Sequence, residues 1–269
     1  MKYQLAFLFL LFAAVLDARN VSDRVAEKIG AAATLQYIGV PRDDNETDVR
    51  KQAAADFKAV NDAYTSAEKL KMDVGYTLFP SYTSTTAFEK EKGVYMKQGA
   101  STYSCLLGII SLSNSKVTVT LDSSEQAIVV ADPAGKQDKN PSVLELDTML
   151  SVCSSVEYKD LEGGLKFYKL RFDGVNISEY NVIEVYIDSK TNFISRLMLY
   201  YRVEMDLDEE GPKCAKDKPR LEVVYTNVLT NPEFPADQFS ETRLIKYSGK
   251  SFTAAAGYRG YRVINNKIK

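Results

Sequence analysis

Apolar positions along this chain recur first every three or four residues and then every two. Ala53, Phe57, Val60, Tyr64 and Ala67 form the stripe of an amphipathic helix. Thr47 can cap its start, Asp48 suits its positive pole, and Lys69 and Lys71 suit its negative one. Met72, Val74, Tyr76 and Leu78 then alternate with polar or small residues until Pro80, which predicts a strand. Further strands are expected at 93–98, 101–112, 116–121 and 126–131, separated by turn residues such as Gly99, Asn114 and Asp132-Pro133. Spacing this close predicts meander hairpins and not βαβ units. A polar loop over 132–141 precedes a second helix at 142–152, with Ser142 as cap and Val143, Leu146, Met149 and Leu150 on one face. Strands resume at 154–159, 165–173, 180–188, 193–207 and 219–229, with short ones at 242–247 and 258–264. In the 193–207 segment Phe193, Leu197, Leu199, Tyr201 and Val203 take one parity. Arg196, Met198, Tyr200, Arg202 and Glu204 take the other, so one face is dry and one wet.

The order of elements predicts an α+β fold: a large curved antiparallel sheet, an incomplete β-barrel of about ten strands, wrapped around two helices. Its concave face would carry Met72, Val74, Tyr76, Leu107, Ile109, Val117, Val119, Val185, Ile187, Leu197, Leu199, Val203 and Leu221. If the helices fill the concavity, these residues are core. If they leave a gap, the residues line an apolar pocket that could take an acyl chain.

The N-terminus adds a location. Met1-Lys2 is followed by an unbroken apolar run from Leu5 to Leu16 and a small residue at Ala18. A helix of that length spans roughly 18 Å, short of a membrane core of ~30 Å. The pattern predicts a secretory signal over 1–18, a flexible segment over 19–46 and one domain over 47–269. The processed chain is then exported, periplasmic or secreted, with no transmembrane segment. Asn20, Asn45 and Asn176 open glycosylation triplets, which chance also produces.

Composition narrows the chemistry. Lys+Arg 34 against Asp+Glu 36 gives a net charge of −2, so no basic face for nucleic acid is expected. The chain has no His, which removes Ser-His-Asp and Cys-His catalysis and the commonest transition-metal ligand. Three Cys cannot form a disulfide framework; Cys105 and Cys153 read as buried small hydrophobes, and Cys214 sits among lysines.

Gly93-Val94-Tyr95-Met96-Lys97, following a signal and an amphipathic helix, resembles the start of the LolA-like periplasmic lipoprotein-carrier fold. Tyr186-Ile187-Asp188-Ser189-Lys190-Thr191-Asn192, then Ile194-Ser195-Arg196-Leu197, has that family's strand–turn–strand cadence. Leu221 to Val228 and Asp237-Gln238-Phe239 resemble its closing strand and Asp-x-x-Phe, so the resemblance covers roughly residues 47–247. The family's Pro, Arg and Trp after the first Lys are replaced by Gln98-Gly99. The resemblance implies a lipid or lipoprotein acyl-chain ligand, a possible envelope protein partner, and a lid made by loop 132–141 and helix 142–152 through Leu146, Met149 and Leu150. It also implies a buried gating arginine. Arg171, Arg196 and Arg202 are the candidates by parity, and they look outward.

Other motifs are weaker. Ser66-Ala-Glu-Lys69 matches a serine–lysine pattern on the first helix but lacks its companion motifs. Gly249-Lys250-Ser251 lacks the earlier Gly of a phosphate loop. Asp206, Asp208, Glu210 and Asp217 sit at calcium-loop spacing, but Pro212, Lys213 and Lys216 interrupt it and the flanks are strands. No cofactor or metal is expected. The reading is a monomeric, non-enzymatic binder of a hydrophobic ligand in the cell envelope. The alternative is a protein-interaction module with a filled core, working through a sheet edge or through Tyr200, Tyr258 and Tyr261.

Overall fold

Helix α1 (Asp44–Ser66) forms where the helical stripe lies: Ala53, Phe57, Val60 and Tyr64 are buried on its inner face. The computed structural model describes residues 44–106, 108–133, 146–174, 178–204, 218–249 and 251–267. The apolar run read as an export signal, Leu107, Asn176, Cys214, the calcium-loop candidates Asp206, Asp208, Glu210 and Asp217, and loop residues 134–141 lie outside them. The first strands are β1 (Lys69–Phe79), β2 (Glu89–Gln98), β3 (Ser101–Leu106), β4 (Ile109–Ser113), β5 (Thr118–Asp122) and β6 (Ala127–Ala131). Helix α2 (Leu146–Val152) follows. A second meander comprises β7 (Ser155–Leu161), β8 (Leu165–Arg171), β9 (Tyr180–Asp188), β10 (Ile194–Tyr201) and β11 (Arg220–Thr230). The chain ends with the hairpin β12 (Ile245–Ser248) and β13 (Ser251–Ala254), then β14 (Arg262–Asn265).

The sheet is large and curved, has twelve strands and does not close. Its order is β14-β6-β5-β4-β3-β2-β1-β11-β10-β9-β8-β7. Two meanders join where β1 pairs antiparallel with β11, and every pair is antiparallel except β14 on β6.

Several local expectations change. Residues 101–112 are two strands, because Gly108 at φ 75 turns the chain between β3 and β4. Strand β10 stops at Tyr201. Thr47 lies inside α1, which begins earlier, so it is no cap. Lys69 and Lys71 belong to β1, and no basic residue occupies the last turn of α1. Lys97 of β2 takes that role from across the fold: its ammonium donates to the carbonyls of Tyr64 (2.8 Å) and Thr65 (3.2 Å).

Two cores result, and they lie on opposite faces. The first packs both helices against β1 and β7–β11, through Phe57, Tyr64, Met72, Leu150, Tyr168, Val185, Leu197 and Tyr225 among others. The second packs Leu112, Val119, Leu121, Ile128 and Val130 against Leu244, Ile245 and the C-terminal segment. The register shows the inversion. Met72, on the helix face, pairs with Tyr95, which pairs with Ser104, Ser111 and Thr120 in turn. Lys71, on the other face, leads through Met96 and Tyr103 to Leu112 and Val119. The dry face of the first half therefore becomes the half-buried hydroxyl face of the second.

Candidate functional site

Among the sequence-predicted concave residues, Met72, Val74, Tyr76, Val185, Ile187, Leu197, Leu199 and Leu221 are gathered in the helix-side core. Ile109 joins that face as the partner of Leu106, further along the sheet. Val117 and Val119 belong to the second core, because the covered face changes between β2 and β4. Val203 lies past the end of β10 and is 53% exposed, so it lines nothing. Of the lid residues, Leu146 and Leu150 are buried in the helix-side core and Met149 packs against it.

Sequence reasoning missed the residue that fastens this roof. Arg50 of α1 donates to the carbonyls of Leu150, Cys153 and Ser154, each at 3.1 Å. It also reaches the Cys153 sulfur at 3.4 Å and pairs with Glu46 at 3.1 Å. One is a last-turn carbonyl of α2 and two belong to the residues that leave it, met by a cation of the right sign. Burial pushes the Cys153 thiol up, against the pull of the Arg50 guanidinium. The one-residue offset from Lys51 and the i,i+4 Glu46 suggest only a surface pair, so sequence offered no signal for this clamp.

The three arginines chosen by parity do other work. Arg171 pairs with Glu157 at 3.0 Å and Arg196 with Glu222 at 2.8 Å, on the outer face. Arg202 donates to the carbonyls of Phe172 (2.7 Å) and Ser178 (3.2 Å), closing the end of β8 and β9. Ser66 donates to the Ala63 carbonyl while Lys69 sits on β1, so that pair does not share a helix. No group of three potential metal-ligating side chains occurs among the described residues.

Tyrosines set the polarity of the helix-side core. Tyr64, Tyr76, Tyr95 and Tyr225 converge there, and burial raises the phenol of each above its ordinary range. The Tyr95 hydroxyl is buried without a hydrogen-bond partner. Asp56 of α1 accepts from Tyr168 at 2.5 Å and from Lys166 at 2.7 Å, which ties the helix to β8. Beside it, Tyr158 is pushed up to about 12, by burial and then by its hydrogen bond to Asp160.

Two open hollows, each of about 430 Å³, lie elsewhere. One sits on the second core's face, lined by Tyr103, Ile110, Leu112, Arg243, Leu244 and Tyr258. The other follows the ends of β1 and β2, and Tyr76 and Glu91 line it. Tyr258 and Tyr261 pack on the second core, and Tyr200 stacks edge-on against Tyr82 and is half-buried, so none of the three is a free aromatic. No described helix is long and apolar enough to cross a membrane.

No protein-family model and no curated protein matches the chain. Several solved structures align with it at low scores. An uncharacterized conserved protein from Thermus thermophilus aligns at TM-score 0.42 and 12% identity, over 80% of this chain and 99% of that one. The protein LprF from Mycobacterium bovis aligns at 0.35 and 14%, over 68% and 95%. A LolA superfamily protein from Nitrosomonas europaea aligns at 0.32 and 9%, over 71% and 99%. The chain is distantly similar to LolA-superfamily structures. At these identities and scores the likeness says nothing of function.

Proposed function

We propose that this chain is an exported, non-enzymatic carrier that shields an acyl chain of a lipid or lipoprotein on the helix side of its sheet. The observation that carries the reading is the Arg50 clamp. A seven-residue helix, α2, roofs the apolar core, and one side chain from α1 holds its end. A helix that short has little stability of its own. Releasing the clamp would free Leu146 and Leu150 and open the core beneath. Each buried methylene of a ligand then contributes ~0.8 kcal/mol. The N-terminal apolar run supports export to the envelope.

The experiment is native mass spectrometry of the processed chain purified without detergent. A co-purifying lipid mass supports the carrier, and a bare chain that takes up no added acyl lipid counts against it.

A second reading has its own observation. The helix-side residues Leu70, Met72, Tyr168, Ile183 and Val185 are at 0% exposure, as in a filled core. An interaction module would leave them so permanently. The carrier predicts that α2 amides exchange faster than those of β9; the module predicts equal protection.

A further inference from the structure

The geometry points to a neutral acyl ester as the ligand, its ester and glycerol oxygens lying on a hydroxyl-lined wall that begins at Tyr95 and crosses β3, β4 and β5. This rests on the carrier reading above and narrows its ligand. Tyr95 is 2% exposed and its hydroxyl has no partner. A buried unpaired donor destabilises a fold and calls for an explanation. Its own rung of the sheet continues outward as Ser104, Ser111 and Thr120. The neighbouring rung continues as Thr102, Ser113 and Thr118, with Ser113 and Thr118 hydrogen-bonded at 2.9 Å. All six are half-buried, on the face that the helices cover further along. Among the described residues the helix-side core reaches Leu106 of β3 and includes none of β4, β5 or β6. The wall thus leads away from the apolar core over half-buried positions.

Its chemistry around Tyr95 is neutral. Of the cations on this face, Lys97 donates to the carbonyls of Tyr64 and Thr65, Lys166 pairs with Asp56, and Arg262 stands exposed at the far edge beside Ala127. Asp122, at the far end, accepts from its own turn at Ser124 and Glu125. A fatty-acid carboxylate would therefore be buried without a counter-ion. A bare alkane would leave the Tyr95 hydroxyl unpaired. An ester carbonyl accepts from Tyr95 and carries no charge, while its chain lies against Met72 and Val74. Burial raises the Tyr95 phenol, so it stays a donor throughout the physiological range.

The test uses the full chain, lipid-free, with three probes: dioleoylglycerol, oleate at pH 8 and hexadecane. Affinities are compared for wild type, Tyr95→Phe and the double variant Ser111→Ala/Thr120→Val. Dioleoylglycerol is expected to bind at least about tenfold more tightly than oleate. Tyr95→Phe should weaken dioleoylglycerol by about five- to thirty-fold, leave hexadecane unchanged, and not lower the melting temperature of the ligand-free protein. The double variant should also weaken dioleoylglycerol alone. The inference falls if both variants bind dioleoylglycerol like wild type, if oleate is preferred, or if Tyr95→Phe lowers the melting temperature, since the hydroxyl would then already be paired by protein or water. If hexadecane and oleate bind but dioleoylglycerol does not, this inference alone fails. If none of the three binds, the carrier reading fails and takes this one with it.

Discussion

At the scale of single residues, Arg50 decides how the two helices meet and Gly93 how closely β2 and β3 fit. Arg50 is 15% exposed and satisfies three carbonyls of α2 and its exit. Hydrogen bonds to a charged group contribute roughly 1.5–3 kcal/mol each, and they are not additive. Arg50→Met keeps most of the stem but leaves those carbonyls without a donor. It should cost roughly 2–4 kcal/mol in chemical denaturation and raise exchange in α2 more than in β8–β10. Equal loss of protection everywhere would mean that Arg50 supports the whole fold and latches nothing. Gly93 explains the start of the motif Gly93-Val94-Tyr95-Met96-Lys97. A Cβ there would lie 1.9 Å from Leu106 Cδ2 and 2.3 Å from the Cys105 carbonyl oxygen. Gly93→Ala should therefore destabilise by at least ~1–3 kcal/mol. Adding Leu106→Ala should recover only part of that, because the backbone contact remains. Full recovery would show that the backbone yields. Tyr95 and Lys97 share the parity of Gly93, so one strand makes room for Leu106, presents a phenol to the core and caps α1.

At the scale of elements, the sequence was legible where period alone decides. The stripe of α1, the alternation of β1 and the hairpin cadence of the second meander each report which residues need burial. The division of 101–112 was less visible, since Leu106 to Ile110 is apolar throughout except for Gly108. Parity names two faces but not which one a later segment will cover. Parity alone therefore puts Val119 beside Met72, although the C-terminal segment covers it from the other side. Eight of the concave residues could be found because they share a face with the helices, whereas the Arg50 clamp depends on a contact 100 or more positions away.

That C-terminal segment is docked by Glu241, which is 2% exposed. Its carboxylate accepts from Asn114 (2.8 Å), Lys116 (3.2 Å) and Tyr247 (3.2 Å). Burial opposes its ionisation, but these bonds and a backbone N–H outweigh that and hold the carboxyl below its ordinary value. A group lowered on folding stabilises above its unfolded pKa and loses that contribution as pH falls through the folded one. Acid should therefore loosen the C-terminal segment. Glu241→Gln should reduce stability at neutral pH and flatten the fall in stability below about pH 4.5, near the ordinary carboxylate value. An unchanged acid slope would assign the docking to the apolar contacts of Leu244 and Ile245 instead.

At the scale of the whole molecule, the exchange of faces is what separates this sheet from a simple half-barrel around helices. Over β1 and β7–β11 the helix side is packed, and over β4–β6 the opposite side is. A sheet covered on one face throughout would need only one core and would leave its other face wet. This one needs the C-terminal segment to bury Leu112, Val119 and Leu121, while Ser111, Thr118 and Thr120 on the helix side of the same strands stay half-buried. Neighbouring residues on one strand should then differ sharply in how much the same kind of change costs. Leu112 is 0% exposed in the second core, and truncating it to Ala should cost roughly 2–5 kcal/mol. Ser111, one residue earlier and half-buried on the helix side, should tolerate Ala within about 0.5 kcal/mol. Val119→Ala and Thr120→Ala should repeat the contrast on β5. If Ser111 and Thr120 proved the costly positions, the helix side of β4–β6 would be a third packed core and no wall would be free for a ligand. The contrast in stability therefore tests, without any ligand, whether the molecule has the open surface a carrier requires.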